Sequence, residues 1–208
     1  MRLYGFAGTR TMRALWALRE LDLDFEYVEV DLTAGAHRRP DFLALNPAGK
    51  VPVLVDGDLV LTESVAIVLY LAEKRPETGL LPVDPRARAE VHRWLLFTAT
   101  ELEQPLWRMA RHKTLYPAER RIAAEIPVAR RDFLDMAPVM DTHLQGRSFL
   151  VGDRATVADI VAAYTLDWAD EAHLLDELPG LHAYMKRMYA RPKAPLRIAA
   201  AFAEARAR

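Results

Sequence analysis

The sequence predicts two domains, a small α/β domain over about the first third of the chain and an all-α domain after it. Three observations carry that reading. Short apolar runs and helical patterns follow the order β-α-β, loop, β-β-α up to residue 74. Proline and glycine then cluster in Arg75-Pro76-Glu77-Thr78-Gly79 and Pro82-Val83-Asp84-Pro85, and only helical spacing follows. The expected boundaries are 1–75 for the α/β domain, 76–85 for a linker and 86–208 for the helical domain.

Each element has its own signal. Arg2–Gly5 reads as a short strand, followed by a loop with Gly8, Thr9 and Arg10. A helix opens near Thr11, where Met12, Leu15, Leu18 and Leu21 recur at helical spacing. Residues 25–30 alternate as a strand, with Phe25 and Tyr27 on one face and Val28 and Val30 on the other. Asp41–Leu45 makes one helical turn, stopped by Asn46-Pro47. The runs 51–55 and 59–61 flank Asp56-Gly57-Asp58, a hairpin signal because glycine accepts positive φ. Ser64–Lys74 is a helix with Val65, Val68, Leu69 and Ala72 on one side. One helix between two strands implies a parallel pair and the hairpin an antiparallel one, hence a mixed sheet. Beyond the linker a long helix is expected over 86–112, kinked at Pro105. Helical segments follow over 118–144, interrupted at Pro127 and with Pro138 a second candidate break, then from Thr156 to 170, and near 180–190 and 195–206.

Composition excludes several classes. Of 208 residues 51% are hydrophobic and 27% charged, a globular balance rather than a disordered one. With 28 Lys+Arg against 29 Asp+Glu, the net charge of -1 supplies no excess positive field for nucleic acid or an anionic membrane. The absence of cysteine excludes disulfides, thiolate metal sites and a protein thiol nucleophile, and no metal is expected. The N-terminus enters a strand without the basic and apolar regions of a secretory signal, and no apolar run approaches the ~20 residues of a membrane span. A cytoplasmic protein is expected.

Three places in the first domain have chemical potential. Val51-Pro52 opens a strand where proline lacks a ladder donor. A cis peptide there would leave the Val51 N–H and C=O to an extended ligand, although local sequence alone favours an ordinary trans proline. Thr62-Glu63-Ser64 precedes a helix whose free N–H groups favour a carboxylate. The Ser64 hydroxyl can donate to that carboxylate and Glu63 can pair with an adjacent amine; plain helix capping is the alternative. In Gly8-Thr9-Arg10-Thr11, hydroxyls can donate to an anion over the first helix, or Thr11 can simply be its N-cap.

In combination these segments resemble the cytosolic glutathione S-transferases. Leu3-Tyr4-Gly5 with Thr9-Arg10-Thr11-Met12-Arg13 is similar to the family's opening, and Phe42–Leu54, containing Asn46-Pro47-Ala48-Gly49-Lys50-Val51-Pro52, to its cis-proline segment. Leu61-Thr62-Glu63-Ser64-Val65-Ala66-Ile67 resembles its Glu-Ser element, and Phe149-Leu150-Val151-Gly152 with Thr156-Val157-Ala158-Asp159-Ile160 its capping box, with Asp at N3. Residues 86–144 carry the fewest diagnostic positions.

The resemblance implies a thioredoxin-like N-terminal domain that binds glutathione as co-substrate, an all-helical C-terminal domain, and a homodimer acting on a small-molecule electrophile. It places Glu63 and Ser64 at the γ-glutamyl amine and carboxylate, and Val51 beside cis-Pro52 at the cysteinyl part. Lys50, His37 and Arg38 fall near the glycine carboxylate, with a solvated loop the alternative for the last two. The catalytic position departs from the family's Tyr, Ser or Cys patterns: Thr9 takes the Ser position, with Thr11 and Tyr4 as alternatives. A threonine there resembles the bacterial nu-type members, which reduce disulfides using bound glutathione. Glutathione-dependent disulfide reductase or peroxidase activity is therefore the second enzymatic reading, and a non-catalytic interaction protein on the same fold the third. For the second substrate, expected between the domains, the candidates are Trp107, Arg108, Arg111, His112, Tyr116 and Trp168.

Overall fold

Alternation of apolar residues in four short runs builds one sheet. β1 (Arg2–Gly5), β2 (Glu26–Glu29), β3 (Val53–Asp56) and β4 (Leu59–Thr62) lie in the order β2-β1-β3-β4. The β1–β2 pair is parallel, joined through α1 (Thr11–Glu20), and the β1–β3 and β3–β4 pairs are antiparallel. Asp56 pairs with Leu59 across the two-residue turn Gly57-Asp58, where Gly57 has φ +62°. This mixed order, with α3 (Ser64–Glu73) after the hairpin, is the thioredoxin-like arrangement.

The structure, a computed structural model, describes residues 1–207. It divides into two compact units, Met1–Leu81 with the stretch from Tyr189 onward, and Pro82–Met188. In the first unit, one face of the sheet is covered by α2 (Pro40–Leu45): Val30, Phe42, Val53 and Val55 form a buried cluster that also takes Tyr4, Leu45 and Val51. Leu3 and Leu54, paired and fully buried, point to the opposite face.

The last twenty or so residues differ from the sequence-based division, which placed all of 86–208 in the helical domain. Glu20 on α1 accepts a bidentate pair from Arg191 at 2.8 and 2.9 Å and the Trp16 indole N–H at 3.0 Å. Lys193 bonds Asp22 at 2.7 Å. Phe202, on α9 (Ile198–Arg206), stacks at 6.3 Å from Phe6 and occupies the space where a side chain at Gly8 would go. These long-range partners carry no local sequence signal. Burial alone would raise the Glu20 carboxyl, but hydrogen bonds from Arg191 and Trp16 outweigh it and hold the group below the usual glutamate range. The contribution of this pair is therefore present above that range and lost as pH falls through the lowered native value. Glu20→Gln should speed amide exchange in α9 about tenfold at neutral pH and remove the acid-induced part of that exchange, measured by hydrogen–deuterium exchange between pH 3 and 7.

The second unit is helical, with three departures from expectation. The predicted helix over 86–112 is one continuous helical run in which α4 (Pro85–Phe97) and α5 (Glu103–Ala110) are joined by an unexpected π turn at Thr98–Leu102, and a second π turn spans Arg111–Leu115. Pro105 lies inside α5 instead of at the kink. Its missing N–H leaves the Glu101 carbonyl without its helical partner, and the widened turn just before it, in which the Glu103 N–H reaches Thr98 O, absorbs the mismatch. Pro127 does not interrupt a helix: it sits in the first turn of α6 (Glu125–Leu144), where an N–H has no helical acceptor anyway, and residues 118–120 form a separate 3-10 turn. Pro138 lies within α6 without ending it.

α7 (Val157–Glu171) starts at Thr156 as its capping box predicts, and α8 (Pro179–Tyr189) packs its Tyr184 hydroxyl on Asp159 at 2.7 Å. Among the described residues, no helix is long and apolar enough to cross a membrane.

Candidate functional site

Strand register gathers the three singled-out segments at one end of the sheet. Tyr4 pairs with Val53, which in turn pairs with Thr62. The residues just past β1, just before β3 and just after β4 are therefore neighbours. These are the loop 6–10, Val51-Pro52 and Glu63-Ser64. The Val51–Pro52 peptide is cis, so the isomer disfavoured by local sequence is the one adopted. Val51 is half-buried and Pro52 buried.

In the loop, hydroxyls and backbone close a ring. The Phe6 N–H donates to Thr11 Oγ1 (3.3 Å), Thr11 Oγ1 and Thr9 Oγ1 lie 2.9 Å apart, and the Thr9 hydroxyl donates to Phe6 O at 2.6 Å. Because the Thr9 proton goes to Phe6 O, the bond between the two threonines runs from Thr11 to Thr9. Thr11 is fully buried against Gly5, whose missing side chain makes room for it, while Thr9 is half-exposed. Thr11 is thus the first residue of α1 and not its N-cap; Arg10 holds that position. Tyr4 packs its ring in the α2-side cluster, with the Arg2 guanidinium 5.8 Å from the ring centre. Of the three hydroxyls, Thr9 alone lies on the open loop at the tip of α1.

At the α3 tip, Glu63 has φ 65° and ψ 112°, a left-handed backbone that costs a non-glycine residue of order 1–3 kcal/mol. This turn sends the Glu63 side chain outward and leaves it exposed, without a capping bond, while Ser64 enters the helix buried. Arg13 of α1 donates from Nη1 to Ser64 Oγ at 3.2 Å. In the sequence Arg13 stands out only as part of the Thr9–Arg13 motif. The available signal was its position one turn before Trp16 and Ala17, on the buried stripe of α1.

A second group forms around Gly49, φ +60°, where an added side chain would lie 2.9 Å from Arg38 Nη1 and 3.0 Å from His37 O. Close approach at this glycine brings His37 and Arg38 beside Lys50 and Val51. The buried Asn46, expected both as a helix stop and as part of the cis-proline segment, shapes the loop: its amide donates to Lys50 O at 2.7 Å and accepts the Ala48 N–H at 3.1 Å. Burial and the neighbouring Arg38 charge push the His37 imidazole down, so it is neutral at pH 7 while Arg38 and Lys50 are the exposed cations.

The helical unit separates its candidates. Trp107 and Trp168 meet edge to face at 6.2 Å. Tyr116 carries the Arg111 and Arg120 guanidiniums at 4.7 and 4.6 Å from its ring centre, with the His112 ring at 5.2 Å. His112 Nδ1 accepts the Ile122 N–H at 3.1 Å, which commits that nitrogen to a structural bond. Arg108 is ion-paired with Asp132 and Glu125. A cavity of about 300 Å³ is lined by Thr100, Gln104, Arg108, Arg111 and Met136; of the six pocket candidates its lining includes Arg108 and Arg111, not Trp107, His112, Tyr116 or Trp168. Among the described residues no His, Asp and Glu cluster is arranged to hold a metal.

Comparisons with known proteins identify the family. Residues 1–73 match the family model described as glutathione S-transferase, N-terminal domain, and residues 104–192 match the corresponding C-terminal domain. The chain is 38% identical over 193 residues to glutathione S-transferase GST-4.5 of Xanthomonas campestris pv. campestris, covering 91% of this chain and 93% of that protein. It is 35% identical over 202 residues to glutathione S-transferase 3 of Zea mays, covering 92% and 90%. A solved glutathione S-transferase from Xylella fastidiosa superposes with a TM-score of 0.83 at 29% identity, covering 98% of each chain. A four-stranded mixed sheet with a cis-proline beside a Glu-Ser helix tip, followed by a helical domain, and matches along nearly the whole chain lead to one conclusion: this protein belongs to the glutathione S-transferase family of enzymes.

Proposed function

We propose that the chain binds glutathione along the sheet end and transfers its thiolate to a small electrophile. The observation that carries this is the convergence, through strand register, of the Thr9 loop, the Val51–cis-Pro52 main chain and the Glu63–Ser64 helix tip. Ser64 and the free N–H groups of α3 receive the γ-glutamyl carboxylate, and the exposed Glu63 its amine. Val51 pairs with the cysteinyl main chain as an added strand, and Lys50, Arg38 and His37 face the glycine carboxylate.

The thiol then lies over the tip of α1. Thr9 swings its hydroxyl proton from Phe6 O to the sulfur. Phe6 O keeps the Thr9 N–H, at 3.3 Å, so the exchange gives up a neutral hydrogen bond of about 1 kcal/mol for one to an anion, about 1.5–3 kcal/mol. Thr11, donating to Thr9, makes Thr9 a better donor. A free thiol near pKa 8.5 falls about one unit for each 1.36 kcal/mol of such preference, and the helix dipole acts in the same direction. Thiolate sulfur attacks the electrophilic carbon, the S–C bond forms, and the leaving group departs with its electron pair. The protein contributes orientation and charge stabilisation.

Threonine at the sulfur with no cysteine in the chain favours a second reading, reduction of disulfides by bound glutathione. Conjugation of chlorodinitrobenzene set against reduction of hydroxyethyl disulfide separates them, and the expected outcome is conjugation as the faster reaction. Faster disulfide reduction, with poor conjugation, replaces the first reading with the second. Failure to bind immobilised glutathione leaves a non-catalytic interaction protein. Leu59 and Val60 exposed on edge strand β4, and Leu96 exposed on α4, support a homodimer, checked by light scattering.

A further inference from the structure

We infer that Arg111 and Arg120, held on the ring of Tyr116, form a site for the carboxylate of a small aromatic anion. The two guanidiniums lie 4.7 and 4.6 Å from the centre of that one ring, so their charges are at most about 9 Å apart, close to a Debye length at physiological salt. Among the described residues neither side chain has a carboxylate or a hydrogen-bond partner. The acidic groups nearby are engaged elsewhere or leave them alone. Glu125 and Asp132 pair with Arg108, Glu101 accepts the Thr100 hydroxyl at 3.0 Å, and Glu119, next to Arg120 in the chain, pairs with neither. Two like charges gathered without a counter-charge favour an anion beside them.

The backbone builds this grouping. In an α-helix, residues five apart stand about 140° from one another around the axis. Here the Tyr116 N–H closes on Arg111 O at 2.9 Å across the π turn, which brings these two positions together. Arg121 donates to Tyr116 O and to Thr114 O, both at 2.7 Å, and fixes the exit of the turn. The Ile122 N–H on His112 Nδ1 ties the following segment back to the same place. With Nδ1 accepting, the imidazole proton stands on Nε2, a third donor in the cluster.

Stacking on the tyrosine covers a guanidinium face and leaves the N–H edges, the fork that matches a carboxylate. Arg111 also lines the cavity of about 300 Å³, whose apolar wall is Pro105 and Met136. That volume is at the small end for ligand pockets and suits one substituted ring. Glu101 lines it too, so one negative charge at Arg111 is favoured and a second at Glu101 is opposed. The carboxylate has two sources, the electrophile of the proposed transfer or an unreactive aromatic acid. The first assignment rests on the glutathione reading; the site does not.

The test uses the full chain. Calorimetry compares 3,5-dinitrobenzoate with 3,5-dinitrobenzamide, which has the same ring and no charge. Wild type should bind the carboxylate about tenfold or more tighter, the scale of one hydrogen bond between charged groups. Arg111→Gln and Arg120→Gln should each remove most of that preference, and raising salt from about 0.05 to about 0.5 M should erode it. Tyr116→Phe should keep it and Tyr116→Ala lose it, because the ring and not the hydroxyl holds the guanidiniums. A kinetic arm uses 4-chloro-3,5-dinitrobenzoate and the matching amide, each kcat/KM divided by the uncatalysed rate constant with glutathione. In both, sulfur bonds to the ring carbon and chloride leaves with its electron pair.

A carboxylate preference in turnover that Arg111→Gln and Arg120→Gln remove identifies the anion as the electrophile. Carboxylate binding without that kinetic preference supports the site and assigns it to an unreactive acid. Equal Kd values for benzoate and benzamide in wild type, or equal weakening of both by Arg120→Gln, overturn the anion site. Arg120 is exposed, so its variant decides the matter should Arg111→Gln not fold. Carboxylate-selective binding by a chain that turns over neither electrophile supports the site and overturns the transfer reading alone.

Discussion

Replacing Asp159 with Ala should destabilise the helical unit by about 3–5 kcal/mol, the scale of breaking a buried charged network. Asp159 is fully buried at the third position of α7, and each of its oxygens accepts two bonds. Oδ1 takes the Leu150 N–H at 2.8 Å and the Tyr184 hydroxyl at 2.7 Å. Oδ2 takes the Thr156 N–H at 2.8 Å and its hydroxyl at 2.9 Å. Alanine leaves these donors in an apolar interior where each unmet bond costs about 1–3 kcal/mol, partly relieved by relaxation and entering water. The carboxylate also ties the 149–156 loop and α8 to the start of α7, so the loss spreads beyond one cap. Denaturant unfolding followed by hydrogen exchange of α7 measures it, and a change below 1 kcal/mol would show that the network is dispensable. Asp159→Asn should fall between, because an amide keeps one acceptor and sets its NH2 against donors.

Thr9→Ala should lower kcat/KM about tenfold to a hundredfold near pH 6.5 and raise the pKa of the bound glutathione thiol by about one to two units. This follows from removing one charge-assisted donor worth about 1.5–3 kcal/mol. The sign is definite. A donor to S⁻ favours the ionised form, so its loss moves the thiol toward protonation and shifts the rate profile to higher pH. At pH above the raised value the thiolate forms anyway, and the variant should recover most of its rate. Thr9→Ser should retain the low pKa, since only the methyl group is lost. The thiolate absorbance of the bound tripeptide, titrated from pH 5 to 10, measures this directly. An unchanged titration in Thr9→Ala would remove Thr9 from the thiolate role. Thr11→Val then provides the comparison, since the resting ring passes its proton from Thr11 to Thr9.

Much of the architecture was readable locally. The β-α-β, β-β-α order, the Asp56-Gly57 hairpin and the α7 capping box all rest on interactions within a few residues, which composition and spacing expose directly. The proline readings in the helical unit went astray for a physical reason. Proline's cost depends on whether its missing N–H had an acceptor, so Pro127 in a first turn is harmless and Pro105 is accommodated by a widened turn before it. Local sequence also favoured the wrong isomer at Val51–Pro52, because the surroundings of that peptide come from strands and loops distant in the chain.

From residues alone came the element types, their order, and the set of hydroxyls, carboxylates and cations proposed for the site. Which of these side chains are buried depends on contacts longer than one helical turn. Thr11 is sealed under Gly5, Tyr4 is packed among Val30, Phe42 and Val53, and Arg13 meets Ser64 across fifty-one positions. Likewise the C-terminal helix belongs with the sheet-bearing unit because Arg191 finds Glu20 and Phe202 fills the space over Gly8. Burial and hydrogen-bond direction are properties of a three-dimensional neighbourhood, and spacing along a chain encodes them only when both partners lie within a helical turn or a hairpin.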